Sequence, residues 1–232
     1  MIRLDKFLAD SGCGTRSEVK KSIRRGEVSV NGTTDVRADM HIDEENDVVT
    51  FLNEEIVWQK YVYLMFHKPA GCISATSGNT ETVMDYIGEP YKDLFPCGRL
   101  DKDTEGLLLI TNDGPLAHEL LSPKKKIEKE YYVEFANDFA EEDIQKVREG
   151  IVYQKVSYQP AKITEVKDHT CHIIVTEGKF HEIKLIFEAL GNEVTYLKRL
   201  RMKNLKLDED LAPGEYRYLY EDEIEDLKAD CC

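Results

Sequence analysis

The sequence predicts an α+β protein in two parts. A small module of two helices and short strands occupies residues 1–60, and a larger domain with a mixed, largely antiparallel sheet occupies residues 61–232. Three observations carry that prediction. Near the start, Arg3, Leu4, Phe7 and Leu8 recur at helical spacing, with a second helical pattern and short alternating strands behind them. From Tyr61 onward, short apolar or alternating stretches dominate, which is the mark of strands. Helical patterns interrupt those strands at irregular intervals, an order that disfavours a regularly wound parallel sheet.

In chain order, the first helix ends at Gly12-Cys13-Gly14. Ser17 is placed to cap the second helix, with Val19 and Ile23 as apolar anchors and Gly26 as its stop. Glu27-Val28-Ser29-Val30-Asn31-Gly32 alternates as a short strand running into a turn, and Val48-Val49-Thr50-Phe51 supplies another. Residues 54–60 read as a linker. Tyr61-Val62-Tyr63-Leu64-Met65-Phe66 is an apolar strand, and His67-Lys68-Pro69-Ala70-Gly71 is the turn after it. Leu107 to Ile110 is short for a helix and reads as a buried strand ended by an Asn112-Asp113-Gly114 turn. Further strands are predicted at 131–135, 159–166 and 171–176. Helices are predicted at 114–122, 140–150 and 180–191, the last stopped by Gly191-Asn192.

With 232 residues and 41% hydrophobic content, the chain can fill a sizeable core. No segment approaches an eighteen-residue apolar run, and the first residues lack the apolar centre of a signal peptide, so a soluble cytoplasmic protein is expected. Cysteines 13, 72, 97, 171, 231 and 232 are scattered, without Cys-x-x-Cys or matching histidine spacing. That pattern disfavours a metal site and suits free thiols in a reducing compartment. Cys231-Cys232 lacks a prenylation box and is given no role. No glycine-rich loop that could cradle a nucleotide phosphate is evident.

A net charge of −14 lowers the expectation of a nucleic-acid partner, yet distribution matters more than total. Residues 208–232 hold ten acids against two bases and so account for −8 of it. By contrast, Tyr196 to Lys206 holds five bases and no acid, and Lys124-Lys125-Lys126 with Lys129 adds a second cluster. Arg16, Lys20, Lys21, Arg24 and Arg25 crowd the second helix and the turn before it, where they can track phosphates. Taken alone, such a run is usually a solvated helix face.

The stretch Cys97 to Gly114 is the most informative in the chain. In an extended Gly98-Arg99-Leu100-Asp101 segment, Arg99 and Asp101 point to one side and Leu100 to the other. A carboxylate beside a guanidinium suits an active site, though spacing alone favours an ordinary surface ion pair. The longer string decides. Gly98-Arg99-Leu100-Asp101, Asp103-x-Glu105-Gly106-Leu107-Leu108-Leu109 and Thr111-Asn112-Asp113-Gly114 closely resemble the signature of RNA pseudouridine synthases of the small-subunit type.

That resemblance implies that Asp101 is the catalytic residue and that Arg99 fills the space vacated by an extruded base. His67-Lys68-Pro69-Ala70-Gly71 is similar to the family's opening motif. Lys129-Glu130-Tyr131-Tyr132-Val133 resembles its Lys-x-Tyr-x-Val element, whose tyrosine packs against the target base; the residue here is Tyr131. A tyrosine suits the task through its stacking face and its hydroxyl. Without the family, Tyr131 would read as a common strand aromatic. In Glu177 to Phe187, Lys184 matches the cation expected to pair with the catalytic aspartate, where it would offset desolvation of the carboxylate. On position alone Lys184 would be an ordinary helix-surface lysine. Glu182 stands where glutamine is usual and Leu185 where arginine is usual, so the presumed RNA face should be less positive there.

Leu197 to Met202 with Leu205 resembles the closing motif, which makes Leu200 a pocket wall and Lys198, Arg199 and Arg201 phosphate contacts. The first sixty residues, through Arg3-Leu4-Asp5-Lys6-Phe7-Leu8 and Ser17 to Gly32, resemble an S4 RNA-binding module. Its expected RNA contacts are Arg3, Lys6, Arg16, Lys20, Lys21, Arg24 and Arg25. Asp103 and Glu105 are expected to shape the loop around Asp101.

The implied reaction isomerises uridine to pseudouridine, breaking the C1′–N1 bond and remaking it through C5. It has no net redox change and requires no cofactor. Asp101 acts as nucleophile or general base; both remain open. A uridine in structured RNA must first be extruded, at a cost of a few kcal/mol. The expected substrate is small-subunit (16S) ribosomal RNA, free or in an assembling small subunit, with no membrane partner and a monomeric enzyme. A 23S rRNA synthase is the runner-up. A non-catalytic S4-type RNA-binding or ribosome-assembly factor is the rival of another class, disfavoured by the presence of Asp101, Tyr131 and Lys184.

Overall fold

Apolar residues at helical spacing must meet a partner surface, and at the N-terminus two short helices supply it to each other. The computed structural model describes residues 1–44, 46–56, 60–89, 91 and 93–229. These divide into two compact units, Met1–Val62 with Gly88–Leu94 and Tyr63–Ile87 with Phe95–Cys232.

The first unit runs β1 (Ile2–Arg3), α1 (Leu4–Asp10), α2 (Arg16–Arg24), β2 (Val28–Val30), β3 (His41–Ile42), β4 (Val49–Phe51) and β5 (Glu54–Glu55). Leu4, Phe7 and Leu8 of α1 close on Val19 and Ile23 of α2, with Val28, Val30, Ile42 and Val49 completing the core. β2, β4 and β5 form a three-stranded sheet, and β1 pairs with β3. The cap of α2 differs from the Ser17 expectation. Thr15 holds that position, its hydroxyl accepting from the Glu18 amide at 3.3 Å while the Glu18 carboxylate accepts from the Thr15 amide at 2.8 Å. Thr15-x-x-Glu18 is a reciprocal capping pattern, and it outcompetes a serine two residues further in. Within the expected linker 54–60, residues 54–55 form β5, while 57–59 lie outside the described residues, as do Cys231 and Cys232.

The second unit runs β6 (Tyr63–Lys68), β7 (Phe95–Pro96), β8 (Glu105–Thr111), α3 (Gly114–Leu121), β9 (Lys129–Phe135) and α4 (Glu141–Glu149). It continues with β10 (Ile151–Tyr153), β11 (Val156–Tyr158), β12 (Lys162–Lys167), β13 (Thr170–Val175), α5 (Glu182–Ala189) and β14 (Val194–Met202). β15 (Leu205–Lys206), β16 (Tyr216–Tyr218) and α6 (Glu221–Lys228) complete it. Its large sheet orders the strands β12-β13-β9-β14-β8-β6-β16, with β15 on β14 and β7 on β8. Among these described strand pairs, β14–β8 is the parallel one. The α+β class with a mixed, largely antiparallel sheet follows directly.

Three local features follow from single residues. The predicted 159–166 strand starts late, as β12 at Lys162, because Pro160 has no amide hydrogen to donate to a ladder. The Asn-Asp-Gly segment ends β8 and opens α3, as the sequence predicts: the Asp113 carboxylate accepts from the Leu116 amide at 3.0 Å and from the Tyr63 hydroxyl at 2.7 Å. β14 reaches β8 only because residue 106 is glycine. Its φ is +102°, and a Cβ there would lie 2.2 Å from the Arg199 carbonyl oxygen. No helix among the described residues is long and apolar enough to cross a membrane.

Candidate active site

Arg99, Leu100 and Asp101 lie in a loop between β7 and β8, not in a regular strand. The alternation expected of them persists even so, with Leu100 buried and Arg99 and Asp101 turned outward. The loop is held by side chains instead of by a ladder. Ser74 accepts from the Leu100 amide and donates to the Leu100 carbonyl, both at 3.0 Å. The Gly71 amide donates to the Lys102 carbonyl at 2.7 Å, and the Thr104 amide to the Asp101 carbonyl at 3.1 Å. Lys68 is fully enclosed, and its ammonium donates to the carbonyls of Thr104 at 2.9 Å, Pro69 at 3.0 Å and Lys102 at 3.4 Å. Burial pulls its pKa below the usual lysine value. The 67–71 segment therefore clamps the loop that presents Asp101.

The carboxylate meets two cationic or potentially cationic groups from the start of α5. Lys184 Nζ lies 3.1 Å from Asp101 Oδ2 and 2.6 Å from Asp103 Oδ1. His181 Nε2 lies 3.6 Å from Asp101 Oδ1, the residue itself in the left-handed region at φ 50°. Burial disfavours the Lys184 ammonium, but its hydrogen bonds to Asp103 and Asp101 outweigh this and hold its pKa above the ordinary value. Glu105 accepts from the Tyr196 hydroxyl at 2.7 Å, so Asp103 and Glu105 both brace the loop.

Arg99, Asp101, Tyr131 and Lys184 line one cavity of about 60 Å³. A larger recess of about 750 Å³ adjoins it and shares Arg99 and Tyr131. A carboxylate beside an ammonium, facing an aromatic ring, is equipped for nucleophilic or base chemistry on a planar ring held against the tyrosine.

Three expected residues are placed elsewhere. Leu200 lines a separate recess with His67, Glu130 and Lys198, while Leu197 walls the Asp101 cavity. Side chains alternate along β14, so Leu197 and Arg199 share one face and Leu200 takes the other. Arg199 is buried, its Nε donating to the Leu107 carbonyl at 2.7 Å, and is no surface phosphate contact. Arg201 is committed to Glu130 at 2.8 Å and Glu128 at 3.0 Å. Lys198 remains half-exposed.

Glu182 also departs from expectation. It faces inward on the wall of the Asp101 cavity, leaving the exposed surface unaltered. Burial, with Glu177 nearby, pushes its carboxyl up to about 7. Near neutral pH it is therefore partly an uncharged acid, close in shape and polarity to a glutamine.

In the first unit, Lys6, Arg16, Lys21 and Arg24 are exposed. Arg3 and Lys20 instead converge on the buried Asp5 carboxylate, at 2.9 and 3.5 Å, and Arg25 lies 3.7 Å from Glu27. The sequence assigns no role to Ser74, Lys68 or His181, and its motif favours Leu200 over Leu197 as the pocket wall. For His181 a signal was present, since it stands three residues before Lys184 in the same motif; Ser74 carried none.

A model of RNA pseudouridylate synthases matches residues 62–189, and an S4 domain model matches residues 2–46. The chain is 45% identical to an uncharacterized RNA pseudouridine synthase of Bacillus subtilis, over 96% of this chain and 97% of that protein. It is 37% identical to ribosomal small subunit pseudouridine synthase A of Haemophilus influenzae, over 97% of this chain and 99% of that protein. A protein of the same name from Vibrio vulnificus is 39% identical, over 97% and 99%. A crystal structure of a pseudouridylate synthase superposes with a TM-score of 0.69 at 37% identity, covering 98% of this chain and all of the other.

Proposed function

Since the chain belongs to the RNA pseudouridylate synthase family and carries an S4 domain, we propose that it isomerises one specific uridine to pseudouridine in small-subunit (16S) ribosomal RNA. The choice of substrate follows the relatives named ribosomal small subunit pseudouridine synthase A, aligned over nearly the whole of both chains. Residues 1–60 hold the RNA and residues 61–232 carry the chemistry. The substrate is ribosomal RNA or the assembling small subunit, met in the cytoplasm by a monomeric enzyme.

The observation that carries the catalytic assignment is the Asp101–Lys184 contact at 3.1 Å inside a cavity faced by Tyr131. The extruded uracil lies against the Tyr131 ring. Asp101 acts on the sugar or the base as the C1′–N1 bond breaks, its electron pair leaving with the base. The base turns, C5 bonds to C1′, the C5 hydrogen is released as a proton, and N1 ends protonated. Lys184, 3.1 Å away, keeps the Asp101 side chain aimed at this point, and Arg99 beside it occupies space left by the displaced base.

Carbodiimide mapping of pseudouridines in ribosomal RNA, from cells with and without the gene, tests the substrate. Loss of one small-subunit site is expected. Loss of a large-subunit site instead would transfer the assignment to 23S rRNA. Asp101→Asn should abolish modification while RNA binding survives, and retained turnover would sink the catalytic role.

A further inference from the structure

The recess beside the catalytic cavity has a charged floor that the chemistry above does not use. Lys129 on β9 is 5% exposed and Arg199 on β14 is 3% exposed, and both line this recess. The two strands pair, with Arg199 in register opposite Tyr131. The Lys129 ammonium donates to the Ile127 carbonyl at 3.0 Å. Arg199 Nη2 is buried and, among the described residues, donates to no acceptor. Neither cation has a carboxylate within ion-pair distance among the described residues, although buried charges are costly unless paired.

Neighbouring groups supply the missing charge only in part. Cys97, which both cations influence, is a thiol pushed up by burial to about 11 and stays neutral. Glu182, near Lys129, is itself pushed up to about 7. Glu177 on the rim is engaged by Lys179 at 2.8 Å. Burial and the adjacent guanidinium together weaken the hold of Lys129 on its proton, against a smaller opposing effect from Glu182. The rest of the recess offers Phe95, Pro96 and Leu121 as apolar wall and Ser74 and Thr76 as hydroxyls.

Arg99 and Tyr131 belong to both spaces, and the catalytic one, at about 60 Å³, is much the smaller. A strand that delivers one base to Asp101 has this larger recess beside it for the adjoining atoms. We propose that Lys129 and Arg199 form a buried phosphate-binding site, and that the recess above them receives the nucleotide next to the target uridine. This rests on the RNA synthase reading for the identity of the ligand, but the anion site itself stands on the two enclosed cations.

Two experiments on the full-length protein test it. In the first, chloride is exchanged for inorganic phosphate at constant ionic strength, and thermal unfolding is followed. Phosphate should raise the melting temperature of the wild type and leave Lys129→Gln unmoved; equal responses would overturn the anion site. In the second, binding to a 16S rRNA transcript is measured against salt for wild type, Lys129→Gln and Arg199→Gln. Each variant should bind roughly tenfold more weakly, with the salt slope reduced by about one. A methylphosphonate beside the mapped uridine should weaken wild-type binding by the same factor and leave the variants unchanged. Unchanged slopes with a positive first experiment would mean that the pair takes free phosphate, overturning the nucleotide subsite. If Arg199→Gln does not fold, Lys129→Gln decides alone. Absence of any pseudouridine in a transcript treated with wild type would count against the function, while the first experiment would still judge the pair.

Discussion

In the first unit, Lys6, Arg16, Lys21 and Arg24 stand open to water around two small helices, whereas Lys68, Lys129 and Arg199 of the second unit are almost wholly enclosed. The residue types are the same, and their tasks are set by burial. An exposed cation is hydrated and screened, so it contributes a modest, salt-sensitive attraction to phosphates that any strand presents. An enclosed cation acts through a low-dielectric surround and must have acceptors in defined places. Lys68 has three carbonyls, and with them it shapes the Asp101 loop. Arg199 has an Nη2 still unused.

The contrast can be broken or sharpened by substitution. The largest effect is expected at the site that the enclosed cations surround: Asp101→Asn should lower single-turnover pseudouridine formation by more than about a thousandfold. Lys184→Met should lower kcat by on the order of a hundredfold with little change in KM, since Lys184 touches the carboxylate rather than the RNA. A pure KM effect would place Lys184 with the open cations instead. Lys68→Met removes the donor for the Lys102 and Thr104 carbonyls and should cost about 3 kcal/mol in urea unfolding.

Glu182→Gln is a test by pH. The folded carboxyl is raised from the ordinary 4.5 to about 7, so its contribution to stability is fully present below pH 4.5 and lost as pH rises through 7. The glutamine variant should match the wild type at pH 4 and exceed it by about 2 to 3 kcal/mol at pH 8. A constant difference across that range would mean that Glu182 is not the titrating group. The smallest effect belongs to an open cation: Arg24→Gln should weaken RNA binding a few-fold at low salt and scarcely at high salt, leaving kcat unchanged. A loss of kcat would contradict the division between the two sets.

Much of the fold could be read in advance because its signals are local. α1 and α2 follow from helical spacing, and β6, β8, β9 and β13 from short apolar or alternating runs. The 194–202 segment carries lysines and arginines among its apolar residues, which hides strand β14, the one that joins β9 to β8. Arg99, Asp101, Tyr131 and Lys184 were found by motif, and they share a cavity although Asp101 and Lys184 lie on separate elements of the fold. Leu200 turns away from Asp101 because side chains alternate along β14, and which alternate set faces the site is fixed by the register against β9 and β8.

By itself, the sequence determined the class of the fold, the order of its two parts and the candidate residues for its chemistry, since spacing and residue type are properties of the chain alone. Only the tertiary structure decided which cations are enclosed and which are open, that Glu182 points inward, and that Leu197 rather than Leu200 faces Asp101. Those outcomes depend on which strands meet and on what each side chain then loses of its contact with water. Gly106 shows the join between the two levels: a single missing Cβ, visible in the sequence, gains its meaning only when β14 arrives against it.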